Sequence, residues 1–178
     1  MLLPKTDWFW YTHQQTLRID LGDLSFVVPY QLKLLINLPT GEQLFSLQDT
    51  EHYIGMAENL AQSGIVMSSA QLSQILLNAT AALAFHKHLS VKSWHFATQQ
   101  TPGIHCQLAL LEPLAQDEVY KLGQVLVLQQ DRQASTCMSL APTFQINATK
   151  TLAQFELIRV MNNRFIPYIA DIASSKRA

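Results

Sequence analysis

The chain has 178 residues, enough for one domain or two small ones. Its apolar share of 48% can fill a core, and its charged share of 14% is well below that of ordinary soluble proteins. A net charge of −1 argues against a non-specific nucleic-acid binder, which needs a basic excess to displace counterions.

Met1-Leu2-Leu3-Pro4-Lys5 has no long apolar core and no small-residue cleavage site. No apolar run reaches the roughly 20 residues that span a bilayer. The expectation is a soluble cytoplasmic protein.

Three strand-forming runs come first: Phe9-Trp10-Tyr11, Leu17 to Leu21 and Leu24 to Val28. His13-Gln14-Gln15 and Gly22-Asp23 are the turns between them. If Trp8 to Tyr11 is extended, Trp8 and Trp10 share one face and Phe9 and Tyr11 the other. Pro29 ends the third run, because proline cannot donate to a sheet ladder. Gln31 to Asn37 suits a short helix stopped near Pro39-Thr40-Gly41.

Asp49 can cap a helix running to about Ser63, with Tyr53, Met56, Ala57, Leu60 and Ala61 in helical period. Gly64 stands where a left-handed cap residue belongs. Ser68 and Gln71 have capping-box spacing for a second helix, with Met67 and Leu72 as a hydrophobic staple. Its apolar face, Leu72, Ile75, Leu76, Ala79, Ala82, Leu83 and Phe85, is wide enough for core burial.

After His88 the texture turns to β. Ser93–Thr98, Ile104–Leu111, Gln124–Gln129, Ala134–Leu140 and Thr143–Asn147 are strand candidates. Their spacing predicts a small barrel or sandwich. Phe155, Ile158, Met161 and Phe165 keep a helical period, so Ala153 to Phe165 reads as a late helix stopped by Pro167. The tail Ser174-Ser175-Lys176-Arg177 reads as frayed.

Few residues announce chemistry. His86 and His88 are two apart, and His95 and His105 lie on neighbouring strand candidates. A zinc site needs three or four converging ligands, and none falls at a recurring offset. Cys106 and Cys137 give no disulfide framework and read as small buried hydrophobes. His105 cannot activate Cys106, because adjacent residues on a strand point to opposite faces. No catalytic residue, metal site or cofactor is expected.

Lys87, Lys92 and Arg164 stand beside apolar elements. Arg164 could simply meet the negative end of the late helix. Together the three could instead form a basic strip for an acidic partner. Trp94 reads as a core residue, with Ser93 and His95 on the opposite face of its strand.

Five segments, in order along the chain, resemble one family. They are Asp7-Trp8-Phe9-Trp10-Tyr11, Ile19-Asp20-Leu21, Leu77-Asn78-Ala79, Lys92-Ser93-Trp94-His95-Phe96 and Ile158-Arg159-Val160-Met161-Asn162-Asn163-Arg164. The chain resembles the ZapC family of Z-ring-associated cell-division proteins, and Lys-Ser-Trp-His-Phe is the most specific match. The resemblance implies an α+β fold: a mixed α/β domain over 1–90 and a β-barrel-like domain over 91–178 carrying the late helix. It also implies a non-enzymatic partner of the division GTPase FtsZ that joins filaments laterally and lowers GTP turnover at mid-cell. Lys87, Lys92 and Arg164 are the implied contacts, with Ile19 and Met56 near the surface of the first domain. A monomer or weak dimer is expected, with no nucleic-acid partner and no membrane insertion. The other readings are an enzyme or small-ligand module using a pocket between helices and barrel, or an adaptor unrelated to division.

Overall fold

The structure is a computed structural model that describes residues 1–87, 90–100, 107–114 and 121–169. It is α+β, with two long helices and three sheets among the described residues. Two compact units emerge, residues 1–58 with 67–90, and residues 59–66 with 91–178.

The first unit begins with the meander. β1 (Phe9–His13) pairs with β2 (Thr16–Asp20), and β2 with β3 (Ser25–Val27), all antiparallel. β4 (Gln43–Leu44) joins the other edge of β1. The β1–β2 turn is two residues long, and Gln14 and Gln15 both have positive φ, 47° and 61°. That backbone matches the twist of a tight hairpin but usually takes Asn-Gly. Gly22, at φ 90°, makes the next turn without Cβ strain.

Alternation sorts the aromatics as expected. Trp8 and Trp10 are buried, while Phe9 and Tyr11 are half-buried. Trp8 packs edge-on against Phe45 and Tyr53, and Trp10 against Phe85. Such pairs contribute about 0.5–1.5 kcal/mol each beyond the area they bury.

α1 (Leu47–Gln62) starts one turn earlier than the sequence suggests. Ser46 is the cap and Asp49 its reciprocal partner: Asp49 N–H donates to Ser46 Oγ (3.0 Å) and Ser46 N–H to Asp49 Oδ2 (2.9 Å). The Asp49 carboxylate also accepts from Trp10 Nε1 at 3.3 Å, tying the helix start to the sheet. Gly64 has the expected left-handed backbone, φ 72°. α2 (Ser69–Phe85) carries the predicted Ser68–Gln71 capping box. From Ile75 to Ala82 it is buried all round, including Asn78 and Thr80. The segment expected as a helix near Gln31 is a single 3-10 turn, Leu32–Leu34.

The second unit is built on a six-stranded sheet. β5 (Lys92–Ser93), β6 (Leu108–Leu111), β7 (Gly123–Gln130), β8 (Ala134–Ser139), β11 (Leu157–Met161) and β12 (Phe165–Pro167) lie in the order β12-β6-β7-β8-β11-β5. All neighbours are antiparallel except β5 and β11. A hairpin, β9 (Thr143–Asn147) with β10 (Lys150–Ala153), stands beside it. The expected barrel does not close: no ladder joins β12 to β5 among the described residues.

Nor does the late helix exist. Residues 153–165 run through the end of β10, a turn, β11 and the 3-10 turn Asn162–Arg164. Phe155 sits in that turn at φ 66°, a left-handed position that no helix continues through. Beyond it Ile158 and Val160 are buried while Arg159 and Met161 are not, a period of two. Pairing of the whole of β11 with β8 overrides the apparent helical spacing.

The core of this unit gathers Phe96, Leu111, Val125, Cys137, Phe144, Ile158 and Phe165. Phe96 and Phe144 stack at 5.9 Å. Gly123 lets the Phe144 ring lie against the backbone, since a Cβ there would sit 2.1 Å from it.

Candidate partner-binding site

Four of the five segments that carry the family resemblance meet in pairs. Trp10 faces Ile19 and Phe9 faces Asp20 across the β1–β2 ladder. In the second unit, Lys92 and Ser93 run parallel to Ile158 and Arg159. Trp94 N–H donates to Arg159 O (3.2 Å) and Gln99 N–H to Asn163 O (3.0 Å). Lys-Ser-Trp-His-Phe and the Ile158–Arg164 segment are therefore two sides of one structure, although β5 itself is only two residues long.

Main-chain pairing sets what this edge displays. Lys92, Ser93 and His95 are exposed, whereas Phe96 is fully buried and bridges Pro113. Trp94 differs from its expected place in the core. It is half-buried, packed on the core with the Lys150 ammonium 5.7 Å from its ring centre. Lys150 is held there by Glu156 at 3.0 Å. Trp94 thus covers the core beneath a cation. No salt bridge to Lys92 occurs among the described residues.

Arg164 does not end a helix. Its Nη1 donates to Phe96 O (2.9 Å) and to Thr98 Oγ1, clamping the strand-like segment that follows β5. Neighbouring Arg159 is paired with Asp131 at 2.6 Å. Of these cations, Lys92 is the exposed one.

Lys87 belongs to the first unit. Its N–H donates to Leu34 O (2.9 Å), and its Nζ reaches back to Lys33 O at 2.7 Å. Ile19 and Met56 are not surface residues: Ile19 is 0% and Met56 6% exposed. Each is on the inward-facing side of its element, Ile19 opposite Trp10 on β2 and Met56 one turn after Tyr53 on α1.

An accessible apolar feature of the first unit lies elsewhere. A groove of about 500 Å³ is lined by Leu2, Leu21, Leu24, Phe26 and Leu77, with Ser73 and Gln74 among its few polar walls. Its N-terminal wall is pinned, since Leu2 N–H donates to Ser73 Oγ (2.9 Å) and Tyr53 OH to Leu2 O (2.9 Å). Burial raises the pKa of Tyr53, against a lowering hydrogen bond with Ser73. Leu21 and Leu77 both belong to segments that carry the resemblance.

Among the described residues, no group of three or more His, Cys, Asp and Glu could hold a metal ion, and no helix is long and apolar enough to cross a membrane. His88, His105 and Cys106 lie outside the described residues, as does the tail after Ile169. Cys137 is buried on β8, with Sγ 3.8 Å from Ser135 O.

These features define an α+β protein of two compact units with a cation-bearing edge built from distant segments. The N-terminal model of the cell-division protein ZapC matches residues 1–87, and the C-terminal model of the same protein matches residues 88–171. The chain therefore belongs to the ZapC family of cell-division proteins. It is 56% identical over 180 residues to the cell division protein ZapC of Pseudoalteromonas atlantica, covering all of both chains. It is 34% identical to that of Pseudoalteromonas translucida, again over both full lengths. Against that of Shewanella woodyi, identity is 36%, with 94% of this chain and 92% of the relative covered.

Proposed function

We propose that this cell-division protein is a non-enzymatic binder of FtsZ filaments, promoting their lateral association and lowering GTP turnover. It acts in the cytoplasm at the mid-cell ring, as a monomer or weak dimer, without cofactor, nucleic acid or membrane insertion. The observation that carries the reading is the edge at Lys92-Ser93-Trp94-His95. Its exposed side chains stand on a backbone fixed by bonds to β11 and by the Arg164 clamp. A preorganised surface loses less entropy on binding. A cation upon it speeds encounter with an acidic filament.

Arg164 then serves mainly by holding the edge, and Lys87 contributes from the first unit. With Ile19 and Met56 buried, the groove is the apolar surface a partner side chain could enter. Lateral association needs two contact surfaces per particle, and a domain over 1–90 and another over 91–178 would supply one each.

Co-sedimentation with FtsZ polymer, with and without GTP, tests the reading alongside phosphate release. The chain should pellet with polymer and slow the release. Failure to pellet at any ionic strength would sink the proposal. The groove favours one second reading, a small apolar ligand; a thermal shift with short-chain fatty acids, absent in a Leu77→Gln protein, would support it.

A further inference from the structure

The surroundings of Lys87 hold a second cation that the family resemblance does not single out. Residues 33–36 run antiparallel to residues 85–87: Leu35 bridges His86, Ile36 N–H donates to Phe85 O (2.7 Å), and Lys87 N–H to Leu34 O. The Lys87 ammonium closes this arrangement on the carbonyl of Lys33, 54 residues away in sequence. Among the described residues one of its three N–H donors is used, which leaves two for a partner. Lys33 itself is exposed at the middle position of the 3-10 turn.

Along the chain, the charge around each lysine is one-sided. The sequence has no Asp or Glu between Asp23 and Glu42, and none between Glu58 and Glu112. Lys33 lies in the first carboxylate-free stretch and Lys87 in the second. The fold lays the two stretches side by side where they carry their lysines. Neither lysine has a salt bridge among the described residues. The unit around them is nonetheless acidic, with four Lys and Arg against seven Asp and Glu. The pair therefore stands apart from the acid-rich composition of its unit.

We infer that Lys33 and Lys87 together form a two-cation contact for a carboxylate-bearing segment of the protein partner, with Lys87 also fixing the turn that carries Lys33. The inference rests on the binding role proposed above. The two lysines stand on facing, hydrogen-bonded segments, and a carboxylate reached by both ammonium groups would be attracted by each. Charged contacts of this kind act chiefly on encounter rate and salt dependence.

Co-sedimentation titrations with FtsZ polymer, at about 50 mM and about 300 mM KCl, test it. The proteins are wild type, Lys33→Glu, Lys33→Gln and, as a net-charge control, Lys5→Glu, which alters another exposed cation of the same unit. Lys33→Glu should weaken binding about tenfold at low salt and Lys33→Gln about threefold, with a shallower salt dependence in both. Lys5→Glu should bind within about twofold of wild type. If Lys33→Gln keeps its thermal midpoint and binds as wild type does, the two-cation contact is wrong while FtsZ binding stands. Equal losses in Lys5→Glu and Lys33→Glu would also overturn it, showing an effect of net charge alone. A wild-type protein that never pellets would remove the binding role and this inference together.

Discussion

In the first unit, Trp8, Trp10, Phe45, Tyr53 and Phe85 pass mostly edge-to-face ring contacts from sheet to helix. In the second, Phe96 and Phe144 are the stacked pair among the described residues, and most of the core is the aliphatic face of a long-paired sheet. Side-chain polar links join distant parts of both units: Trp10 to Asp49, Tyr53 to Leu2 and Tyr30 to Asn78 in the first, Arg164 to Phe96 and Arg159 to Asp131 in the second. The second adds main-chain ladders and one close approach at Gly123. The difference teaches where each unit is vulnerable. The first should suffer most from a ring removed, and the second from a methyl added.

The largest effect should come from Trp10→Ala. It empties a fully buried aromatic site and removes a donor to the buried Asp49, at a cost of about 3–5 kcal/mol. A urea curve followed by fluorescence would measure it, with Trp94 replaced by Phe in both proteins so that Trp8 or Trp10 reports the first unit alone. A loss below about 2 kcal/mol would show that the ring cluster is looser than its geometry. Next is Gly123→Ala. Its methyl would meet the Phe144 ring, which is already stacked on Phe96, and overpacking of this kind costs about 1–3 kcal/mol. Chemical denaturation read by Trp94 fluorescence should detect it; an unchanged midpoint would refute the close approach.

A change in the opposite direction sharpens the comparison. Gln14→Asn with Gln15→Gly suits the left-handed hairpin backbone and should stabilise the first unit by about 1 kcal/mol, seen as a raised thermal midpoint. An alkaline titration separates the units without mutation. Burial pushes the Tyr30 hydroxyl far above its ordinary 10.0. The folded chain keeps that proton above pH 10.0, where the unfolded chain releases it, so stability present below 10.0 is lost as pH rises. Tyr30→Phe should flatten this decline in the first unit; an equal slope in both proteins would argue against it. The smallest stability effect belongs to Lys92→Glu. At an exposed edge it should move stability by no more than about 0.5 kcal/mol. Its FtsZ co-sedimentation should nevertheless fall, and unaltered pelleting would detach the edge from binding.

Much of the first unit was readable because its signals are local. The Gly22 turn, the Ser68–Gln71 box and the Trp8/Trp10 alternation each need only neighbouring residues. Asp49 was misplaced by one turn because Ser46 competes for the same cap. In the second unit, Phe155, Ile158, Met161 and Phe165 carry a false helical period. Only pairing with β8, invisible along the sequence, shows that Ile158 and Val160 define the buried face. Lys92 was found through its motif. Lys33 was not, because its neighbour Lys87 is brought to it by a bridge across 54 residues. Ile19 and Met56 were assigned to the surface through the resemblance, although their apolar character already favoured the interior.

The Arg164 clamp also sets a timetable for synthesis. Its guanidinium and the Phe96 carbonyl it holds are 68 residues apart, so the clamp waits on nearly the whole of the second unit. By the time Ser90 has left the ribosome, every residue of the first unit has been made. Trp94 and Phe96 emerge soon afterwards, yet Arg164 follows 68 residues behind Phe96. In the nascent chain this aromatic segment is exposed beside Lys92, whose charge opposes self-association while the segment waits. The same lysine that marks the finished edge is therefore useful earlier, as a gatekeeper for an unfinished one.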